Sequence, residues 1–250
     1  MYLFSFKKYA GHDRVFFSSK AIGNPGDLLQ TEDDFLLNLG EEISFQELYH
    51  HQLSPQEMKV VSPGFFDQHV LSFLHWMVYE RYSNYKSVIK YFVSMEVQQL
   101  LMRESKAKKK NGSGASKWLE ASFKQQNIDI SLPPKGQTLL IIPDNRTRHN
   151  LFPSAFLESP EVINLLSLDT QNKKDQHWRA IKNGARGPII ATQSEVFQPF
   201  IDLTTIVIFD PHKWYYHNQQ EPRYSIPTVV KKMEEIYGAE AVEVSNIGLL

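Results

Sequence analysis

The second half of the chain alternates short apolar runs with segments of helical periodicity, and this alternation constrains the fold more than any other feature. Short apolar runs interrupted by helices are typical of a largely parallel β-sheet covered by helices on both faces. The apolar runs lie at residues 138–142, 162–168, 188–192, 206–209 and 241–244, and the helical patterns at residues 172–182 and 227–237. We therefore predict an α/β fold for residues 117–250.

One of these runs ends in a single carboxylate. Asp210 directly follows the apolar run 206–209, and α/β nucleotide-binding domains often present a magnesium-binding carboxylate at such a strand end. His212 lies two residues further on and is a candidate general base, because an imidazole titrates near neutral pH. The alternative is that His212 is a solvated loop residue. Asp210 and His212 are thus the candidate catalytic residues if the protein is an enzyme.

The first hundred residues follow a different pattern. Residues 1–60 favour strands. Two amphipathic helices are predicted after them, at residues 66–78 and 88–101. Ser62 and Pro63 predict the start of the first helix, because a serine cap and a first-turn proline favour helix initiation. We expect a smaller α+β domain over residues 1–105.

A segment rich in lysine, glycine and serine at residues 106–116 separates the two halves. It contains Lys108, Lys109 and Lys110, and then Gly112, Ser113, Gly114, Ala115 and Ser116. A phosphate-binding loop reads G-x-x-x-x-G-K-[ST] and uses its lysine to neutralise the β/γ-phosphates, but here that position is alanine. The segment is either a flexible linker or a degenerate phosphate loop before a helix predicted over residues 117–123. Its lysines either contact a phosphate backbone or form a solvated charge run.

Composition excludes several classes of site and partner. The 250 residues carry a formal net charge of −1, so any contact with DNA depends on a local basic patch. The absence of cysteine excludes disulfides and thiolate metal sites, and the nine histidines lack ligand spacing, so we expect no metal site. No apolar run is long enough to span a membrane, and the N-terminus does not resemble a signal peptide. We expect a cytoplasmic protein without a membrane partner.

Several motifs occur in the same order as in one helicase family. They lie at residues 140–144, 162–167, 176–184, 191–200 and 206–210, followed by Pro222-Arg223-Tyr224. Their order resembles that of the primosomal replication-restart helicases, the family of primosomal protein N′ (PriA). The resemblance implies a RecA-like lobe of the P-loop type, ATP and Mg²⁺ as cofactors, and single-stranded or forked DNA as a partner.

The chain departs from this family at the residues that carry the chemistry. Ala115 stands where the family has the phosphate-loop lysine. Pro211 stands where the D-E-E-H box has the glutamate that activates water, and Gln193 replaces an arginine. No second motor lobe and no cysteine-rich module is found in these 250 residues. We expect a pseudoenzyme without ATPase or translocation activity, which binds ATP and Mg²⁺ only if the ancestral site is retained.

An aromatic segment follows Asp210 and resembles the family's aromatic-rich loop, which couples ATP turnover to single-stranded DNA. Aromatic rings and arginine suit single-stranded bases and their backbone. The candidate DNA contacts are therefore Trp214, Tyr215, Tyr216 and Arg223. The alternative is that the aromatic side chains pack on the domain surface or against a protein partner.

These observations support one leading interpretation and two alternatives. The leading one is a degenerate primosomal-helicase-like protein that serves DNA replication restart or repair as a DNA-binding or scaffolding module, with replication or repair proteins as partners. The first alternative is an active nucleotide hydrolase with rearranged catalytic residues, Asp210 and His212. The second alternative is a protein-interaction domain that binds neither DNA nor nucleotide.

Overall fold

The computed structural model describes residues 3–5, 22–31, 35–40, 57–81, 83–93, 122–125, 128–131, 136–166 and 168–245. The chain divides into two units, Met1–Arg103 and Glu104–Leu250. The predicted linker or phosphate loop, with Lys108, Lys109, Lys110 and Gly112–Ser116, lies outside the described residues. Most of the helix predicted over residues 117–123 also lies outside them.

The described part of the first unit contains an antiparallel sheet and two helices. The strands are β1 (Leu3–Ser5), β2 (Leu28–Gln30), β3 (Phe35–Asn38) and β4 (Lys59–Ser62), and the helices are α1 (Gln68–Tyr79) and α2 (Tyr85–Phe92). The strand order is β1-β3-β2-β4, and each neighbouring pair is antiparallel. The apolar stripe of α1 is buried, as its helical periodicity predicts.

The start of α1 differs from the sequence prediction. Ser62 does not cap the helix, because it ends β4 and pairs there with β2. Asp67 takes the capping position instead, and its carboxylate accepts the N–H of Val70 over 2.9 Å. Helix α2 ends at Phe92, and residues 94–101 of the second predicted helix lie outside the described part of the chain.

The second unit is built on a five-stranded parallel sheet, which confirms the predicted α/β class. Its strands are β7 (Gln137–Ile141), β8 (Ile163–Asn164), β9 (Gly187–Ala191), β10 (Leu203–Phe209) and β13 (Glu240–Val244). Their order is β13-β10-β7-β9-β8, and every neighbouring pair is parallel. The helices are α3 (Thr147–Leu151), α4 (Ser154–Leu157), α5 (Gln171–Lys182) and α6 (Ile226–Tyr237). The described residues of this unit also form two antiparallel pairs, β5 (Ser122–Gln125) with β6 (Ile128–Ser131) and β11 (His217–Asn218) with β12 (Tyr224–Ser225).

Two predicted elements differ from the structure. The apolar run 162–168 forms only the short strand β8, because the chain turns after Leu165 and the N–H of Asp169 donates to the carbonyl of Leu166 over 3.1 Å. Residues 122–123, predicted as the end of a helix, belong to β5. There the pairing with β6 outweighs the local helical pattern.

The central strand β7 is buried along its whole length, as expected for a parallel strand covered on both faces. Helix α6 packs against β10 and β13, and Phe152 after α3 meets Phe209 of β10 edge to face. Gly238 ends α6 with a φ of +67°, a left-handed value that glycine adopts without strain. In the part of the chain that is described, no helix has the length and apolar character needed to cross a membrane.

Gln137, the first residue of β7, is a fully buried polar side chain that joins three parts of the second unit. Its Nε2 donates to the carbonyl of Ile181 in α5 over 2.8 Å. Its Oε1 accepts the N–H groups of Ile201 and Asp202, just before β10, over 2.9 and 3.1 Å. Gln137 therefore fixes the amino edge of the sheet, opposite the edge at which Asp210 lies.

We expect Gln137→Ala to lower the free energy of unfolding by about 2–4 kcal/mol, because each buried polar group left without a partner costs roughly 1–3 kcal/mol. Urea unfolding followed by tryptophan fluorescence measures the change. Gln176→Ala is the matched control, since Gln176 is exposed on α5, and it should change the stability by less than about 0.5 kcal/mol. Equal stability of the two variants would contradict the role given to Gln137.

Candidate functional site

The carboxyl edge of the parallel sheet contains a point at which the chain changes direction. From β7 the chain proceeds to β8 on one side of the sheet, whereas from β10 it proceeds to β13 on the other side. Because β7 and β10 are neighbours, a crevice opens between the loops that leave them. Open α/β sheets bind their ligands in such a crevice. The residues that follow β7 and β10 therefore form the candidate site.

Two carboxylates flank this crevice in different environments. Asp144 follows β7, and its Oδ1 accepts the N–H groups of Arg146 and Thr147 at the start of α3, over 2.7 and 2.9 Å. Asp144 therefore closes the turn that leads into α3. Asp210 follows β10 and is only 9% exposed, yet its carboxylate accepts no hydrogen bond from the described residues. Its φ of +49° is a left-handed value, which is uncommon outside glycine and is found at functional sites.

The ring of Tyr216 occupies the crevice between the two strands. Its side chain is fully buried, and its hydroxyl lies 2.7 Å from the carbonyl oxygen of Phe209 and 3.1 Å from that of Ile141, the last residues of β10 and β7. Burial raises the pKa of this hydroxyl far above its ordinary value, and the charges of Asp210 and Asp144 raise it further. The hydroxyl therefore remains protonated at physiological pH and joins the two strand ends.

A second contact connects the loop after β9 to the aromatic segment, residues 214–218. Gln193 begins the short 3-10 turn that follows this strand. With its amide oriented so that both polar atoms have partners, Nε2 donates to the carbonyl of Tyr215 over 2.7 Å. Its Oε1 accepts the N–H of Asn218 over 2.9 Å. Gln193 thus bonds the main chain of the aromatic segment at two points.

The turn that carries Gln193 is itself held by a carboxylate. One oxygen of Glu195 accepts hydrogen bonds from the hydroxyls of Thr192 and Ser194, over 2.5 and 2.6 Å. Because both hydroxyls donate to one oxygen, the turn has a defined shape at its start. Glu195 therefore serves the local structure of the site.

Trp214 and Tyr215, which we call the aromatic pair, lie at the surface of the same edge. Their side chains are 71% and 41% exposed. Their ring centroids are 4.2 Å apart, and the ring planes are inclined by 36°. Aromatic side chains bury most of their large apolar area in a core or an interface. Two adjacent exposed rings therefore make this surface a candidate binding surface.

The structure corrects one of the predicted DNA contacts. Tyr216 was expected to lie beside Trp214 and Tyr215 on the binding surface, but its ring is buried and its hydroxyl is bonded within the sheet. It cannot stack on a base without leaving the crevice. The sequence did not reveal this difference, because three adjacent aromatic residues in an irregular segment show no periodicity that separates inward from outward positions.

The other predicted residues of this region lie at the surface. His212 and Arg223 are exposed. His212 belongs to a turn that is closed by the N–H of Lys213, which donates to the carbonyl of Asp210 over 3.0 Å. No described residue holds the imidazole of His212 in place, as a general base requires. Within the described ranges, no three His, Asp or Glu side chains are grouped as metal ligands.

The contacts of two residues of the site escaped the sequence analysis. Asp144 precedes α3, and an Asp before a helix is a capping signal, but this helix has only five residues and gives no clear periodicity. Gln193 gave no signal of its role, because its partners are main-chain atoms more than twenty positions away. A local pattern cannot indicate such a contact.

A separate polar cluster lies at the start of α5. One oxygen of Asp169 accepts a hydrogen bond from Lys173 over 3.0 Å, and the other lies 4.0 Å from Nδ1 of His177. Neither this second oxygen nor Nδ1 has a hydrogen-bond partner among the described residues. Burial lowers the pKa of His177, the charge of Lys173 lowers it further, and Asp169 acts in the opposite direction. His177 is therefore neutral in the native protein at pH 7.

We expect the second unit to lose stability as the pH falls below about 6.5, the ordinary pKa of histidine. The pKa of His177 is lower in the folded protein, so the unfolded chain takes up the proton first. The contribution of His177 is complete above the unfolded pKa and is lost as the pH falls toward the folded one. Urea unfolding between about pH 7.5 and 5.5 should show a weaker pH dependence for His177→Asn than for wild type. His212→Asn is the exposed control, and an identical pH dependence of all three proteins would contradict this account.

Comparison with known proteins does not identify a family. No model of a protein family matches the chain, and no curated protein matches it either. The function is therefore inferred from the geometry of the carboxyl edge and from the order of the motifs.

Proposed function

We propose that this protein binds single-stranded DNA at the carboxyl edge of its parallel sheet and does not hydrolyse ATP. It is then a degenerate relative of the primosomal replication-restart helicases, and the sheet corresponds to a RecA-like lobe. Its role is that of a DNA-binding or scaffolding module in replication restart or repair, together with replication or repair proteins. The observation that carries the proposal is the exposed aromatic pair, Trp214 and Tyr215.

The aromatic pair suits unpaired bases. Every base has a π-face, so stacking on Trp214 or Tyr215 tolerates any sequence and contributes about 1–3 kcal/mol per base. Lys213 and Arg223 lie near the pair along the chain, and the one acidic residue between positions 211 and 225 is Glu221. Lys213 and Arg223 can therefore supply cationic contacts for a phosphate backbone, although the net charge of the whole chain is −1.

The placement of the motifs supports the family proposal. The segments 140–144, 191–200 and 206–210 begin within β7, β9 and β10, respectively, and continue past the carboxyl ends of these neighbouring strands. Residues that act together must meet in the fold, and parallel strands bring these three segments to one edge.

Several features disfavour ATP hydrolysis at this edge. Pro211 follows Asp210 and has no side-chain group that accepts a proton from water. The carboxylate of Asp144 is bonded to the main chain of the turn before α3, and Tyr216 occupies the crevice. Ala115, at the position of the phosphate-loop lysine, supplies no charge for the β/γ-phosphates.

A nucleotide hydrolase with rearranged residues is the second candidate, and one observation favours it. The carboxylate of Asp210 accepts no hydrogen bond from the described residues, so it retains the capacity to bind a divalent cation. His212 is the nearest imidazole in sequence to this carboxylate. His212 is exposed, and no described residue orients its imidazole toward a bound water, which counts against a role as general base.

We expect no ATP hydrolysis above background, with or without single-stranded DNA. A coupled assay of phosphate release measures it, and Asp210→Asn serves as the matched control because it removes the carboxylate that directly follows β10. Turnover on the order of 1 s⁻¹, which is ordinary for an enzyme, would favour the hydrolase if Asp210→Asn abolished it.

We expect Trp214→Ala and Tyr215→Ala each to weaken binding of a labelled oligothymidylate by roughly 1–3 kcal/mol, the contribution of one stacked base. Fluorescence anisotropy measures the dissociation constant. Binding by wild type should also weaken as salt rises, because cationic contacts release counterions from the DNA. Tyr79→Ala, which removes an exposed aromatic side chain of the first unit, should leave the affinity unchanged. Absence of binding at low salt would favour a protein-interaction domain instead.

A further inference from the structure

We propose that Gln193 is a positioning residue that holds the aromatic pair in one preset conformation, so that single-stranded DNA binds it without the help of a nucleotide. This inference takes its ligand, single-stranded DNA, from the proposed function. It adds how the conformation of the aromatic pair is controlled. The site is constitutive, because its shape is fixed by bonds within the protein rather than by a bound nucleotide.

The aromatic segment is attached to the sheet on both sides of the aromatic pair. Before the pair, the N–H of Lys213 donates to the carbonyl of Asp210 over 3.0 Å, directly after β10. After the pair, the hydroxyl of Tyr216 reaches the last carbonyls of β10 and β7. The two exposed rings therefore project from a short stretch of chain whose ends are both fixed to the rigid part of the fold.

Gln193 adds a third attachment from a different strand end, that of β9. Its amide bonds the carbonyl of Tyr215 and the N–H of Asn218, so it fixes the main chain and leaves the rings exposed. Asn218 is held further by its own side chain, which donates to the carbonyl of Pro222 over 2.9 Å, and by its pairing with Tyr224. The chain from residue 215 to 218 thus has little freedom to change its path.

A fixed segment improves binding because it loses little conformational entropy when the ligand binds. Ordering loops and side chains at an interface opposes association, and a preorganised site avoids this cost. Glutamine suits the position because its amide donates one bond and accepts the other. Methionine has nearly the same length and shape and can do neither, so Gln193→Met removes the two bonds with little change in volume.

The test compares wild type, Gln193→Met and Ser194→Ala as full chains. Ser194 lies in the same turn and contacts Glu195 rather than the aromatic segment, so its variant controls for damage to the turn. We expect Gln193→Met to bind labelled oligothymidylate about tenfold more weakly, as the loss of two hydrogen bonds of ordinary net strength implies. Ser194→Ala should bind like wild type. Addition of ATP and Mg²⁺ should leave the affinity of wild type unchanged.

Hydrogen exchange supplies a readout that does not depend on DNA. The N–H of Asn218 should exchange about tenfold faster in Gln193→Met, because its acceptor is lost, while thermal unfolding shows that the variant is folded. If wild type fails to bind the oligonucleotide, the proposed function fails, and faster exchange of this N–H would still support the fixed segment. Equal exchange in the two proteins, equal affinity, or an affinity that rises severalfold with ATP would overturn the inference.

Discussion

The contact between the Tyr216 hydroxyl and the ends of β7 and β10 determines what the carboxyl edge of this sheet can do. It places a buried aromatic ring in the crevice where open α/β sheets bind their ligands. Because Tyr216 points inward, its neighbours Trp214 and Tyr215 remain at the surface. The edge therefore presents two exposed aromatic rings, where we propose that DNA binds, and the carboxylate of Asp210 is nearly buried. This arrangement agrees with the sequence, in which Ala115 and Pro211 stand where the helicases that it resembles have the phosphate-loop lysine and the glutamate that activates water.

The fold class could be predicted because its signal is local. A run of apolar residues such as 206–209 predicts a buried strand wherever it occurs, and its alternation with helical patterns indicates a parallel sheet. Element bounds could not be predicted to the same extent, because they depend on pairing between distant segments. Ser62 belongs to β4 because β2 lies beside it, and residues 122–123 form a strand because β6 does.

The place of the candidate residues in the fold was predictable, but their contacts were not. Asp210 at a strand end and the aromatic residues after it indicated the carboxyl edge, since their types and order carry that information. The inward position of Tyr216 and the bonds of Gln193 depend on main-chain atoms that only the folded chain brings near. Gln193 stands where the resembling family has an arginine, and its two bonds give this replacement a physical role.

The central claim is that the rim of the carboxyl edge, and not the crevice, receives single-stranded DNA. Titration of the isotope-labelled full chain with a short oligothymidylate, followed by nuclear magnetic resonance, tests this claim most directly. The account predicts changes in the chemical shifts of the Trp214 indole N–H and of the main-chain N–H groups of Tyr215 and Asn218. The chemical shifts of the main-chain N–H groups of Ile141 and Phe209 should not change. Shifts confined to the first unit, or shifts of Ile141 and Phe209 without any change at Trp214, would contradict it.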